Sequence, residues 1–415
     1  MILVSHPTGN TFVRALLESS QERGVLGLFA TALGFQATPK WFGLLPTGLR
    51  SELGRRCYSV SAAKLVSRPS REAIRLVSGK LGWSALNRHE TGWASVDAVY
   101  QDLDRHVARN LQNWMETRSI NCAYAYEDGA LATLTKARTL GLPAAYDLPI
   151  AYWRTVRRLM EEEAQRLPEW EPTLGSTRDS EEKFARKTAE LEAANHVICP
   201  SQFVLDSIPP EMREGRNCFV AEFGSPPVAA PRAPTRNQKR VRFLFAGSMG
   251  QRKGLADLFA AFRLARRPDI ELVVMGSPLM PMEFYRRHGG DFTFEAPRPH
   301  GEVLRLMDTC DVLVLPSIAE GRALVQQEAM SRGLPIIVTR NAGGEDLVVE
   351  GQTGFLVPMR SPEAIAEKVN WVADHTDQLQ WMSNCARQKA ASISWQGYGA
   401  KILDSISAPP GTTNP

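Results

Sequence analysis

The chain has 415 residues, too many for one ordinary hydrophobic core, so two domains of about 200 residues each are expected. An apolar fraction of 43% and a charged fraction of 23% exclude a disordered chain, and no run approaches the roughly 18 apolar residues of a membrane span. The net charge, 49 − 45 = +4, is too mild to argue for a nucleic-acid partner.

MILVSH is a short β-rich run with too few apolar residues for a signal peptide. PTGN is a glycine-containing turn, and TFVRALLESSQERG reads as a helix. From Leu45 to Ser95, nine Lys/Arg stand against three acids. That stretch is either an ordinary solvated surface or a face for an anionic membrane or acceptor, with Trp41, Trp83 and Trp93 as interfacial anchors. INCAYAYEDG reads as a strand and turn, ALATLTKARTLG as a helix closed by Gly141, and LPAAYDLP as the next strand. Residues 155–194 read as helices broken near Pro168 to Gly175, and HVICPS and CFVAEFG as strands. Residues 224–240 carry four prolines and no apolar period, which makes a linker. Beyond it the alternation restarts with VRFLFAG, and Leu255, Leu258, Phe259 and Phe262 mark one face of the helix that follows. IELVVMGS, FTFEAP, DVLVLPS, LPIIVTR and FLVP are further strands with helices between them. The six cysteines are scattered without a CxxC, which suits reduced cytoplasmic thiols and offers no zinc site.

Strands alternating with helices imply α/β architecture: two Rossmann-like doubly wound domains facing across a cleft. The expected division is 1–226, a linker 227–240, a second domain 241–395, a helix at 396–408 packing back on the first domain, and a tail at 409–415.

Two stretches of the second domain carry chemistry. In FLFAGSMGQRKG a strand ends at Gly247-Ser248, and Arg252 and Lys253 precede the next helix. Small residues, helix N–H groups and two cations suit a phosphate, although a plain turn with solvated charges fits as well. In IAEGRALVQQEAMSRGLP, Glu320 precedes a helix and Glu328 lies in its second turn, leaning back toward its start. They are two solvated charges, or the two ends of a site in which backbone donors meet phosphate and carboxylates meet sugar hydroxyls.

Gly247, Lys253-Gly254, Pro316-Ser317, Glu320-Gly321, Glu328-Ala329-Met330, Gly333-x-Pro335, Gly343-Gly344-Glu345, Gly351 and Gly354 occur in that order. Over 241–395 this pattern resembles the retaining GT-B glycosyltransferases of glycosyltransferase family 4, the glycosyl transferases group 1 domain. The resemblance implies a hexosyltransferase using a UDP- or GDP-sugar and a glycan, lipid-linked or small-molecule acceptor, with no cofactor and no metal. It implies that Arg252 and Lys253 hold the donor diphosphate, that Glu320 faces the transferred sugar, and that Glu328 meets the ribose. Gly321, Arg322, Ala323 and Leu324 would cradle sugar and phosphate, residues 297–303 would meet the base, and Gly9 would approach the diphosphate from the first domain. Asp147, at a strand end, is the candidate for contacting the sugar or taking the acceptor proton. The family's EGFG is EGRA here, so Arg322 either binds an anionic group or points to solvent. The alternatives are a nucleotide-sugar epimerase of the same fold and a non-catalytic sugar-nucleotide-binding protein. The expected location is cytoplasmic, peripheral to the inner membrane face through 45–95.

Overall fold

The computed structural model describes residues 1–36, 38–175, 179–230 and 240–407. Most of the expected linker, 231–239, and the tail, 409–415, lie outside the described residues, as does the side chain of Trp41.

Two parallel sheets are present. The first contains β1 (Ile2–Ser5), β2 (Leu26–Thr31), β3 (Leu65–Ser67), β4 (Cys122–Tyr126), β5 (Ala144–Asp147), β6 (His196–Cys199) and β7 (Asn217–Val220), in the order 3-2-1-4-5-6-7. The second contains β8 (Val241–Ala246), β9 (Ile270–Met275), β10 (Thr293–Glu295), β11 (Val312–Leu315), β12 (Ile336–Thr339) and β13 (Gly354–Val357), in the order 10-9-8-11-12-13. The central strands are almost entirely buried and almost wholly apolar, as strands with both faces covered by helices must be. In each sheet the order reverses beside the first strand, so a crevice opens between the ends of β1 and β4 and another between those of β8 and β11. The doubly wound two-domain fold expected from the alternation is therefore the fold observed.

The two domains share material. The helix Trp395–Ser407 lies on the helix Thr11–Glu22 of the first domain and sends Tyr398, Ile402, Leu403 and Ile406 into its core. In the other direction, Trp170 leaves the first domain's segment and buries itself among Phe259, Phe284 and Tyr285 of the second. Beside it a buried polar clamp crosses the divide. Arg166 donates to both oxygens of Asp257 (2.8 and 2.7 Å), and the Gln251 amide donates to Glu163 and Asp257 (2.8 and 2.7 Å).

Candidate functional site

The cationic turn after β8 forms one half of the cleft. The carbonyl of Gly250 accepts from the Lys253 N–H, and residues Gln251–Lys253 make a short 3-10 turn. That turn aims Arg252 and Lys253 at the segment leaving β11. Arg252 Nη1 donates to Glu320 Oε1 (2.8 Å) and to the Ala319 carbonyl (3.0 Å). Lys253 Nζ lies 2.8 Å from the same Glu320 oxygen. Burial alone would raise the Glu320 pKa, but the charges and hydrogen bonds of Lys253 and Arg252 outweigh it and hold the carboxyl below the usual range. Two cations and one carboxylate leave the group with a net charge of +1, an arrangement suited to an anion.

The helix after Glu320 begins later than expected, at Val325, so Glu328 is its fourth residue and sits in the first turn rather than the second. The intervening EGRAL segment is held in irregular backbone. Glu320 N–H donates to the Asn341 carbonyl (3.1 Å) and Ala323 N–H to the Ala342 carbonyl (3.2 Å). The double glycine supports it by close approach, since a Cβ at Gly343 would lie 2.1 Å from the Gly321 carbonyl oxygen and one at Gly344 would lie 1.9 Å from the Gln326 amide. Glu328 is pushed up by burial, an effect that His300 opposes with Nδ1 3.6 Å away. His300 belongs to the 297–303 stretch, so the carboxylate and the segment expected at the base do meet.

Gly321 is a point of close approach between the two domains. A Cβ there would lie 1.7 Å from the Pro149 carbonyl oxygen, just past β5, and the Gly321 carbonyl accepts from Ser201 Oγ (2.6 Å). Leu324 leans on the first domain's core and helps line a cavity of about 580 Å³ with Gly9, Asn10, Arg14 and Arg55. Gly9 has φ +62°, and a Cβ would meet the Tyr58 hydroxyl at 2.1 Å. The turn around it is anchored by His6, whose Nδ1 accepts the N–H groups of Thr8 (3.2 Å) and Gly9 (3.0 Å). His6 is fully buried, and burial lowers its pKa to about 3, so the ring is neutral with its proton on Nε2.

Two expectations are corrected by these positions. Asp147 is 1% exposed and accepts a hydrogen bond from the Tyr124 hydroxyl, so it is not offered to a ligand. Burial, relieved in part by Tyr124, raises its pKa to about 7. Arg322 neither faces solvent nor stands free for an anionic ligand. Its side chain is wholly buried and pairs with both oxygens of Asp346 (2.7 and 2.9 Å) while also reaching the Gly343 carbonyl (3.2 Å) and Gln327. Ala323 is buried beside it and Ser248 is half-buried in the turn after β8. Sequence reasoning missed Asp346 and Gln326, although the one-residue proximity of Asp346 to Gly343-Gly344-Glu345 was a signal for the first, and it included His300 only as part of 297–303. Among the described residues, three metal-ligand side chains converge only at His89, Glu90 and Asp179, where Lys183 also reaches Asp179 (3.1 Å), as in an ion-pair network.

With this geometry in place, comparison with known proteins decides the class of the second half. Residues 229–389 match the family described as glycosyl transferases group 1. These residues are thus similar to a glycosyltransferase domain. The chain is 33% identical over 111 residues to a D-inositol 3-phosphate glycosyltransferase of Corynebacterium urealyticum, covering 27% of this chain and 26% of that protein. It is 27% identical over 259 residues to the enzyme of that name from Corynebacterium diphtheriae, covering 55% and 60%. A glycogen synthase of Mycobacterium tuberculosis is 30% identical over 164 residues, covering 38% and 40%. The matched part thus spans less than two thirds of each of these relatives. Among solved structures, sucrose-phosphate synthase from Thermosynechococcus elongatus superposes with a TM-score of 0.66 at 16% identity over 97% of both chains. WaaG, a glycosyltransferase involved in lipopolysaccharide biosynthesis, gives 0.56 at 15% identity over 99% of this chain and 100% of its own. At these identities the likeness establishes the fold, which is GT-B.

Proposed function

We propose that the chain transfers a hexose from a nucleoside diphosphate sugar to a hydroxyl of an acceptor, with retention of anomeric configuration. The observation that carries this reading is the Arg252–Lys253–Glu320 cluster between the ends of β8 and β11, two fixed cations sharing one ionised carboxylate. Anabaena HepE, of similar fold, has been solved in complex with UDP and glucose, which supports a UDP-sugar as donor. In the proposed reaction the bond from sugar C1 to the β-phosphate oxygen breaks as positive charge grows on the ring. Arg252 and Lys253 meet the negative charge that collects on the phosphate. The acceptor oxygen bonds to C1 on the same face, and its proton passes to the departing phosphate. Glu320 orients the sugar hydroxyls, Glu328 takes the ribose, and backbone from Gly321 to Leu324 faces Gly9 across the diphosphate. The acceptor enters along the first domain's strand ends, by the cavity that Arg14 and Arg55 line.

Thermal shift with UDP, GDP and ADP tests the first step, and nucleoside diphosphate release from the matching sugar tests the second. Proton NMR of the product reads the anomeric outcome. A nucleotide that raises the melting temperature, followed by release of that nucleotide and an α-linked product from an α-donor, is the expected result. If none of the nucleotides shifts the melting temperature, the reading fails.

A further inference from the structure

The helix Pro69–Leu81 is turned inside out. Its inward face is polar: Glu72 is 2% exposed and Ser78 1%. Glu72 accepts from Arg56 (2.5 Å) and from Arg75 (2.7 and 2.9 Å). Its outward face is apolar: Ile74, Val77 and Leu81, spaced i, i+3, i+7, are 39%, 49% and 55% exposed. Trp83, two residues past the helix end, is 56% exposed. A helix covering a soluble core places these classes the other way round, and an apolar stripe left in water indicates a surface that something else covers.

The charges around the stripe say what covers it. All three acids of 45–95 are drawn inward: Glu52 onto Arg56 (2.9 Å), Glu72 as described, and Glu90 onto the Ser180 N–H (2.9 Å). Arg50, Arg55, Arg68, Lys80 and Arg88 remain exposed; of these Arg68 pairs with Asp102 of the neighbouring helix (3.1 Å) and Arg55 lies 3.8 Å from Glu52. Exposed Lys80 on the same helix and exposed Arg88 shortly after Trp83 thus accompany the stripe, while the carboxylates of the stretch are paired. We infer that the outward face of the helix Pro69–Leu81, with Trp83, docks the protein on an anionic lipid bilayer. The apolar side chains enter the acyl boundary, and Lys80 and Arg88 stay among the headgroups. A second copy of this chain is a poorer occupant, because face-to-face pairing would set these cations against their own kind. The inference does not depend on the transferase reading.

Co-sedimentation of the full chain with vesicles tests it, using pure phosphatidylcholine or phosphatidylcholine with about a third phosphatidylglycerol at about 0.1 M salt. The wild type is expected to bind the anionic vesicles at least about tenfold more tightly than the neutral ones. Ile74→Ser/Val77→Ser/Leu81→Ser is expected to lose at least about tenfold in binding with an unchanged melting curve, because the altered side chains are exposed. Lys80→Glu and Arg88→Glu should each cost about fivefold. Absence of wild-type binding to anionic vesicles, or equal binding by the triple variant, overturns the proposal. So does a wild-type dimer that the triple variant converts to monomer, since self-association would then be what covers the stripe. Nucleoside diphosphate release by the triple variant in free solution reports on the transferase reading separately.

Discussion

Between the ends of β8 and β11, the Glu320 carboxyl is held below its usual range, buried but with Lys253 and Arg252 each 2.8 Å away. At the end of β1, the equivalent place in the other sheet, His6 is neutral because burial pushes its pKa to about 3, and Asp147, two strands over at the end of β5, is pushed up to about 7. Glu320 is built against two cations, whereas burial acts on His6 and Asp147 with no ion-pair partner to offset it. A charged crevice binds and polarises an anion, while a neutral one shapes a turn without competing for it. The difference fits a cleft whose second domain carries the chemistry of the donor and whose first domain supplies backbone and room.

If the charged end performs the chemistry, the largest effect lies there. Lys253→Ala should lower turnover on the order of a hundred- to a thousandfold, with the fold kept, as read by nucleoside diphosphate release and circular dichroism. The next largest effect lies where the two ends meet. Gly321→Ala puts a methyl where the Pro149 carbonyl oxygen stands and must push the strand ends apart. A shift of about 1 Å at that point is expected to cost on the order of a hundredfold in kcat. Normal activity in the alanine variant would show that the domains do not work at the separation seen in this structure.

The charged half was legible in the sequence and the neutral half was not, for a physical reason. Arg252 and Lys253 stand side by side in one turn, and their meeting with Glu320, 68 residues along the chain from Arg252, followed from the ordered motif of the resemblance and not from local spacing. Asp147 sits correctly at a strand end, but whether a strand-end carboxylate faces the cleft or the core depends on the partner strand, and Tyr124 on β4 decided it. Arg322 failed similarly, because its partner Asp346 is 24 residues away and arrives only when the double glycine folds against Gly321. The proline-rich tract separates the sheets along the chain, yet nothing local announced that Trp170 would cross into the second core. A tryptophan's destination is set by the tertiary cavity that accepts it.

The neutral end makes a pH prediction of its own. With the folded pKa of Asp147 near 7 and the ordinary value near 4, the folded state holds the proton more tightly between those limits. Its stability contribution is therefore present below pH 4 and is lost as pH rises toward 7. Asp147→Asn keeps an acceptor for Tyr124 and removes the titration. It should be more stable than wild type at pH 8 by about 2–3 kcal/mol more than at pH 5, as read by urea unfolding at each pH. Turnover should stay within a few fold, and a collapse of turnover in a stable Asp147→Asn protein would restore the carboxylate to the reaction. A smaller loss of about 1–3 kcal/mol is expected for Asp346→Ala, which strips the buried Arg322 of its bidentate partner while half-exposed surroundings let water compensate in part.

The gentlest test concerns Glu328, a carboxylate of the second domain without a cation as close as those at Glu320. Glu328 has only His300 at 3.6 Å, and burial raises its pKa, in contrast with Glu320 a few residues earlier. A group that holds the ribose in ground state and transition state alike contributes uniform binding, so its loss should appear in KM and leave kcat alone. Glu328→Gln is expected to raise the donor KM about tenfold, the cost of replacing charge-assisted hydrogen bonds to two hydroxyls by neutral ones. Because the ionised form binds and the pKa is raised, the wild-type donor KM should also climb as pH falls, starting above the usual carboxylate range, whereas that of the glutamine variant should stay flat. A kcat loss with unchanged KM would instead place Glu328 at the reacting sugar, and the division of labour between the two glutamates would have to be redrawn.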